Sequence, residues 1–349
     1  MGGLTIADVP AWGLRAFAFV FGALWGSFWN VAIYRWPREM SVVSPPSHCP
    51  ACGAPVPAWR NLPIVAYLMQ RGRAACCAAP MTPRYVAVEV LGGVLCLAVV
   101  ERFVLSALGT ELALLAPDER LLVPRLIEAL LYFVFLGGLV VATFVDLEWM
   151  IIPDEVSLPG AALGLATLAL RPHGIDAVDA ALGAGLGYLV VQLLFVYAYE
   201  AFTGRRGMGE GDAKLLLFIG AFVGWKGVLF ALVAGSMQGL LVAVVAMVTK
   251  TELIPEKARD ELAHDPGPFV TEATAAARCL DEEGGAAALL NETTATNDDA
   301  REDEGDEISD DARAPLRMPF GPFLALGAAE FLFFGDALID AYLGLFPAP

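Results

Sequence analysis

The sequence predicts an all-α, polytopic membrane protein of about eight transmembrane helices with one cytoplasmic, cysteine-containing loop. Composition is the first observation. The 349 residues are 57% hydrophobic and only 17% charged, with a mean hydropathy of +0.61. A soluble domain lies nearer 45–50% apolar and about 25% charged. The second observation is that apolar runs of roughly 20 residues, long enough to cross about 30 Å of hydrocarbon, recur along the chain. The third is where the charge sits. Residues 250–317 hold 19 acidic and seven basic side chains, so twelve of the 17 net negative charges belong to that one segment. The remainder is nearly balanced and carries no broad basic face for nucleic acid.

The elements follow in order. The first run covers about 12–34 and continues into GSFWNVAIYRWP with no small-residue cleavage site, so it reads as a retained helix. Residues 35–84 are polar, with six arginines and four of the six cysteines. Further helices are expected at about 86–108, 126–145, 156–170, 178–199, 213–224, 228–249 and 319–346. The chain thus divides into a first helix (1–34), a cysteine-rich loop (35–85), a helical body (86–249), an acidic insertion (250–317) and a last helix (318–349). Arginine placement puts residues 35–84 and Arg205–Arg206 inside, because lysine and arginine set orientation and acids matter little. Both termini then lie outside, and the chain is expected in an inner membrane with lipid as its surroundings.

On this topology Asp146, in FVDLEWMIIPD, and Asp212, in GMGEGDAKL, reach the same cytoplasmic face. A carboxylate at the edge of a membrane helix is costly and usually has a job. Two on separate helices suggest a shared site, as in an aspartic hydrolase with one carboxyl neutral, one ionised and water between them. The plainer reading of Asp212 alone is an N-cap. Gly207, Gly209 and Gly211 lack Cβ atoms, which permits close approach and left-handed backbone angles. There is no Walker lysine-serine pair, so the loop does not read as a phosphate cradle. Cys49, Cys52, Cys76 and Cys77 crowd together, which fits a metal better than disulfides if the loop faces a reducing cytosol. Zinc takes four ligands. Cys49, Cys52 and Cys77 supply three, and Cys76 or His48 is left as the fourth, with strain expected where neighbours 76 and 77 bind one ion.

GMGEGDAKL with DLEWMIIPD upstream resembles the two active-site motifs of the type IV prepilin peptidases, which are GxGD aspartyl membrane proteases. The N-terminal block from GSFWNVAIYRWP through CPACGAPVPAWRNLPIVAYLMQRGRAACCAAPMTPRYVAVE is similar too, as is MPFGPFLALGA. The resemblance spans about 20–248 and 318–346. It implies that Asp146 and Asp212 are the catalytic pair and that Gly209 and Gly211 are the glycines of the second motif. It also implies cleavage of one peptide bond in a prepilin or pseudopilin, after a short basic leader, at the cytoplasmic membrane face. Many members also methylate the new N-terminus with S-adenosylmethionine. The family usually carries two CxxC pairs, whereas here the first position of the second pair is Ala74.

The acidic insertion departs from the family. Its composition cannot bury a core, and it reads either as a tolerated loop or as a negative field that attracts basic leaders. Two other functional readings stay open from sequence: a transporter with Asp146 and Asp212 as ion sites, and a non-catalytic assembly platform.

Overall fold

The computed structural model describes residues 11–44, 46–49, 51–106, 119–171, 174–203, 209–249 and 318–344. Among them there is no β-strand beyond two isolated bridges, His48 with Pro55 and Arg73 with Pro80. The helices are α1 (Ala11–Arg35), α2 (Val65–Met69), α3 (Arg84–Val100), α4 (Glu119–Trp149), α5 (Asp154–Ala166), α6 (Ala177–Val190), α7 (Tyr199–Thr203), α8 (Glu210–Thr249) and α9 (Gly321–Gly344). The all-α expectation holds, and the chain is an integral membrane protein by the length and hydropathy of its spans. Among the described residues, four helical stretches are long and apolar enough to cross a bilayer: Ala11–Arg38, Val123–Trp149, Ala177–Ala198 and Glu210–Thr249. The acidic insertion lies outside the described residues.

Helices in lipid gain little from hiding apolar surface, so close packing must hold them together. Small residues make that approach. A Cβ on Gly22 of α1 would lie 2.2 Å from the Gly92 carbonyl oxygen of α3, and one on Gly220 of α8 would lie 2.3 Å from the carbonyl oxygen of Gly183 in α6. Both are backbone contacts, so no side chain fits at these crossings. Asn30 acts as interhelical glue, as a polar group in lipid should. Its amide donates across from α1 to the Tyr85 carbonyl of α3 at 3.0 Å. Between α4, α5 and α8 the space is filled by Phe135, Phe218 and Phe222, with Phe135 stacked on Phe222 at 4.6 Å between centroids. Such ring pairs add about 0.5–1.5 kcal/mol beyond their buried area.

As the sequence predicts, two helical arms meet here: the α8 span is broken at Gly224, whose φ of 71° suits glycine. The break frees carbonyls at the end of the first arm, and Arg171 meets them. Its guanidinium donates to Phe222 at 3.1 Å, to Ala221 at 3.2 Å and to Gly164 of α5 at 2.6 Å. Arg171 directly follows the predicted 156–170 helix; in the structure it is buried and closes two helix ends. The second arm of α8 packs on α9, with Gly235 at Phe323, Gly327 at Ala231 and Gly227 at Phe331. The two therefore run antiparallel, and because Gly321 lies against Ile152, which Gly211 also meets, the second arm of α8 turns back at Gly224 toward the end of the bundle where α8 begins.

Candidate active site

Asp146 lies in the last turn of α4, and Asp212 in the first turn of α8. Both side chains are buried, 5% and 9% exposed, and they stand within electrostatic reach of each other. The two aspartates singled out by sequence therefore meet at one end of the bundle. A third element joins them. The backbone N–H of Gly321, the first residue of α9, donates to Asp146 Oδ2 at 2.9 Å.

The turn after α4 aims this group. Met150 adopts φ 55°, and its N–H closes back on the Asp146 carbonyl at 2.9 Å. Pro153 then holds the extended backbone that starts α5. Between them the Ile152 side chain fills a slot that two glycines leave open. A Cβ on Gly211 would lie 3.1 Å from Ile152 Cβ, and one on Gly321 would lie 3.1 Å from Ile152 Cδ1. The left-handed angles expected of Gly209 and Gly211 do not occur. Among the described glycines positive φ falls on Gly53, Gly72 and Gly224 instead. Gly211 is needed for space rather than for torsion. Gly209 has room, since its nearest contact would be Asp212 Oδ2 at 3.6 Å. Gly207 lies outside the described residues. One ion pair ties the two motifs together: Lys214 Nζ donates to both oxygens of Asp154, at 2.7 and 2.8 Å.

The cysteine loop joins the bundle at this same end. Arg84, at the start of α3, pairs with Glu148 of α4, and Arg38 stacks over Trp149 at 4.8 Å. Glu89 of α3 accepts from the Ile64 N–H at 2.7 Å and pins the loop to that helix.

Inside the loop two segments share one hydrogen-bond pattern. In the first, the Cys49 N–H donates to Ala54 and the Gly53 N–H to Cys49, both at 2.8 Å. In the second, the Ala74 N–H donates to Ala79 at 2.8 Å and the Ala78 N–H to Ala74 at 2.7 Å. Ala74 thus stands where Cys49 stands in the first segment. Ala78 copies the positive φ of Gly53, 57° against 71°. The fold of the second segment survives without its first cysteine. All four sulfurs, of Cys49, Cys52, Cys76 and Cys77, lie within 4.8 Å of one another. Cys49–Cys77, Cys52–Cys76 and Cys76–Cys77 are separated by 3.8, 3.4 and 3.9 Å. Thiolates about 2.3 Å from one zinc stand about 3.8 Å apart, so this donor set fits the ion, and the fourth member of the cluster is Cys76 and not His48. Backbone N–H groups of Ala51 and then Cys52 hold the Cys49 thiol down at about 7. Hydrogen bonds to Cys52 and then Cys49 push Cys76 up to about 12. A bound cation would override both shifts by favouring every thiolate.

Residues 20–103 match the bacterial peptidase A24 N-terminal domain, and residues 133–244 match the type IV leader peptidase family. A prepilin leader peptidase/N-methyltransferase of Myxococcus xanthus (strain DK1622) is 33% identical over 329 residues, covering 92% of this chain and 90% of the relative. The chain belongs to the prepilin leader peptidase/N-methyltransferase family. Relatives of the same description from Aeromonas hydrophila and Neisseria gonorrhoeae are each 32% identical. They cover 69% and 67% of this chain, and 84% and 82% of their own length. No solved structure matches. The four clustered cysteines fall in the first matched region and both aspartates in the second, whereas Gly321 falls in neither. Sequence reasoning missed Gly321; its signal is the MPFGPF block that opens the last helix.

Proposed function

We propose that this protein is a membrane aspartic endopeptidase that removes the basic leader of type IV prepilins or pseudopilins at the cytoplasmic membrane face, and that it then methylates the new N-terminus. The observation that carries the peptidase reading is the meeting of Asp146 and Asp212, from separate helices, at one end of the bundle. A transporter would hold such groups near the midplane, at broken helices. Here the helix break at Gly224 lies twelve residues along α8 from Asp212. Two like charges in a buried site share a proton, so one carboxylate takes a proton from water while the other gives one to the scissile carbonyl. The pair titrates as a unit. A bond at the edge of a substrate helix lies at the depth of this pair.

The methyl transfer, with S-adenosylmethionine as donor, rests on the relatives' description. Cys49, Cys52, Cys76 and Cys77 are the residues that would hold zinc. A four-thiolate site leaves no position for water, so the ion would be structural and would brace the loop. Mass spectrometry of a pilin-like substrate co-expressed with the protein tests both activities. The expected product is a chain shortened by its leader and heavier by one methyl group. An intact leader would refute the peptidase, and an unmethylated cleaved product would refute the second activity alone.

Two positions test how the dyad is held. Gly211→Ala should overpack against Ile152 at a cost of about 1–3 kcal/mol and lower the cleavage rate about tenfold. A wild-type rate would show that Ile152 does not set the register of α8. Breaking the Lys214–Asp154 pair with Lys214→Met should cost less than about 1 kcal/mol of stability, because the pair is partly exposed. It should still slow cleavage about threefold to tenfold, since small misplacements of reacting groups are expensive. Exchanging the two charges should recover most of the rate, and failure of that exchange would assign Lys214 another role.

A further inference from the structure

A helix leaves its first four backbone N–H groups without partners inside the helix, and nearby side chains usually take them. In α9 one of those donors has an unusual acceptor. Phe320 stands just ahead of the helix, and its carbonyl accepts from the Phe323 and Leu324 N–H groups at 3.1 and 3.3 Å. The Gly321 N–H is left over, and it goes to Asp146 Oδ2, 175 residues away in sequence, in a buried contact. Space at this point is as restricted as direction. A Cβ on Gly321 would lie 2.7 Å from Asp146 Oδ2 and 3.3 Å from Asp146 Cγ. The carboxylate therefore occupies the volume that any other residue would fill.

We infer that Gly321 is a positioning residue of the active site. By donating to one oxygen of Asp146 it fixes the plane of that carboxylate and leaves Oδ1 to face the dyad and its water. The inference rests on the peptidase reading and adds the last helix to the machinery, outside both regions matched by the family comparisons. It gives α9 a role besides packing, since a helix that enters the chain after the acidic insertion sets the aim of a carboxylate on α4. The absence of a side chain matters as much as the N–H does. A methyl group at 321 would swing the carboxylate away or lift α9 off the second arm of α8.

The test uses the purified full-length protein and a prepilin substrate. Gly321→Ala should lower kcat about ten- to a hundredfold while KM stays within about threefold, because the substrate still binds but the acid is misaimed. Adding Ile152→Val removes the Cδ1 that crowds the same methyl group and leaves the carboxylate clash in place. The double variant should stay slow; recovery would reassign Gly321 to packing against Ile152 and overturn the inference. If Gly321→Ala does not fold, hydrogen exchange on otherwise native protein decides. Exchange of the Gly321 amide should speed up in Asp146→Ala and stay unchanged in Asp212→Ala. Equal exchange in both, or a wild-type kcat in Gly321→Ala, overturns the inference without touching the peptidase reading. The peptidase reading falls separately, if the dyad itself proves dispensable.

Discussion

Asp146→Asn and Asp212→Asn should each lower leader cleavage by about 10²–10⁴-fold, the usual worth of a positioned acid or base. The substitution suits this site because the amide keeps the shape of the carboxyl. At position 146 its oxygen can still accept from the Gly321 N–H, so the docking of α9 on α4 survives. At position 212 the local backbone bond, from the Asp212 N–H to the Gly209 carbonyl at 3.2 Å, does not involve the side chain at all. Loss of rate in a protein that still inserts therefore reports loss of proton transfer. Because the two groups act on one water, the double variant should be scarcely slower than either single one. The wild-type rate should be bell-shaped in pH, with limbs that belong to the pair. Cleavage assayed on a purified prepilin, read by mass, checks each point. A variant that keeps cutting at the wild-type rate would end the assignment of its aspartate.

Much of this site is legible in sequence because its parts obey local rules. A carboxylate at the end of an apolar run is expensive wherever the fold places it, so Asp146 and Asp212 announce themselves before any packing is known. The helical segments are legible for the same reason. The predicted first run of 12–34 is α1, and the predicted 126–145 lies within the longer α4. What escapes are contacts between distant stretches. No local rule says that Arg171 leaves the loop to cap α5 and the first arm of α8. None says that an amide on the last helix should reach Asp146. Gly211 is visible as a motif glycine, yet its cause was misread, because the Ile152 side chain that excludes a Cβ there sits 59 positions away. The second cysteine segment is the opposite case. Ala74 looks like damage in one dimension, while in three the backbone pattern is intact and Cys76 offers a sulfur 3.4 Å from Cys52.

That last contrast yields a second large effect. Wild-type protein, purified in detergent, should carry about one zinc per chain, and Cys76→Ser should lose it. Structural zinc sites bind with about 10–16 kcal/mol over four ligands, so one thiolate is worth about 3 kcal/mol, or about two orders of magnitude in affinity. Cys49→Ser should do the same. Cys96→Ser should not, since Cys96 is buried in α3 beside Gly22 and absent from the cluster of loop sulfurs. The informative experiment is a rescue. Ala74 repeats the hydrogen bonds of Cys49, so a sulfur placed there should point where the first segment points its own. Ala74→Cys introduced into Cys76→Ser should then restore zinc and, with it, resistance of the loop to proteolysis. Metal content measured by mass spectrometry separates the outcomes without reference to activity. If Cys76→Ser keeps its full zinc content, Cys76 is a bystander and His48 or water completes the site. If Ala74→Cys fails to rescue while Cys76→Ser is empty, the two segments are not equivalent in space, and Cys76 holds a position that the ordinary spacing cannot reach.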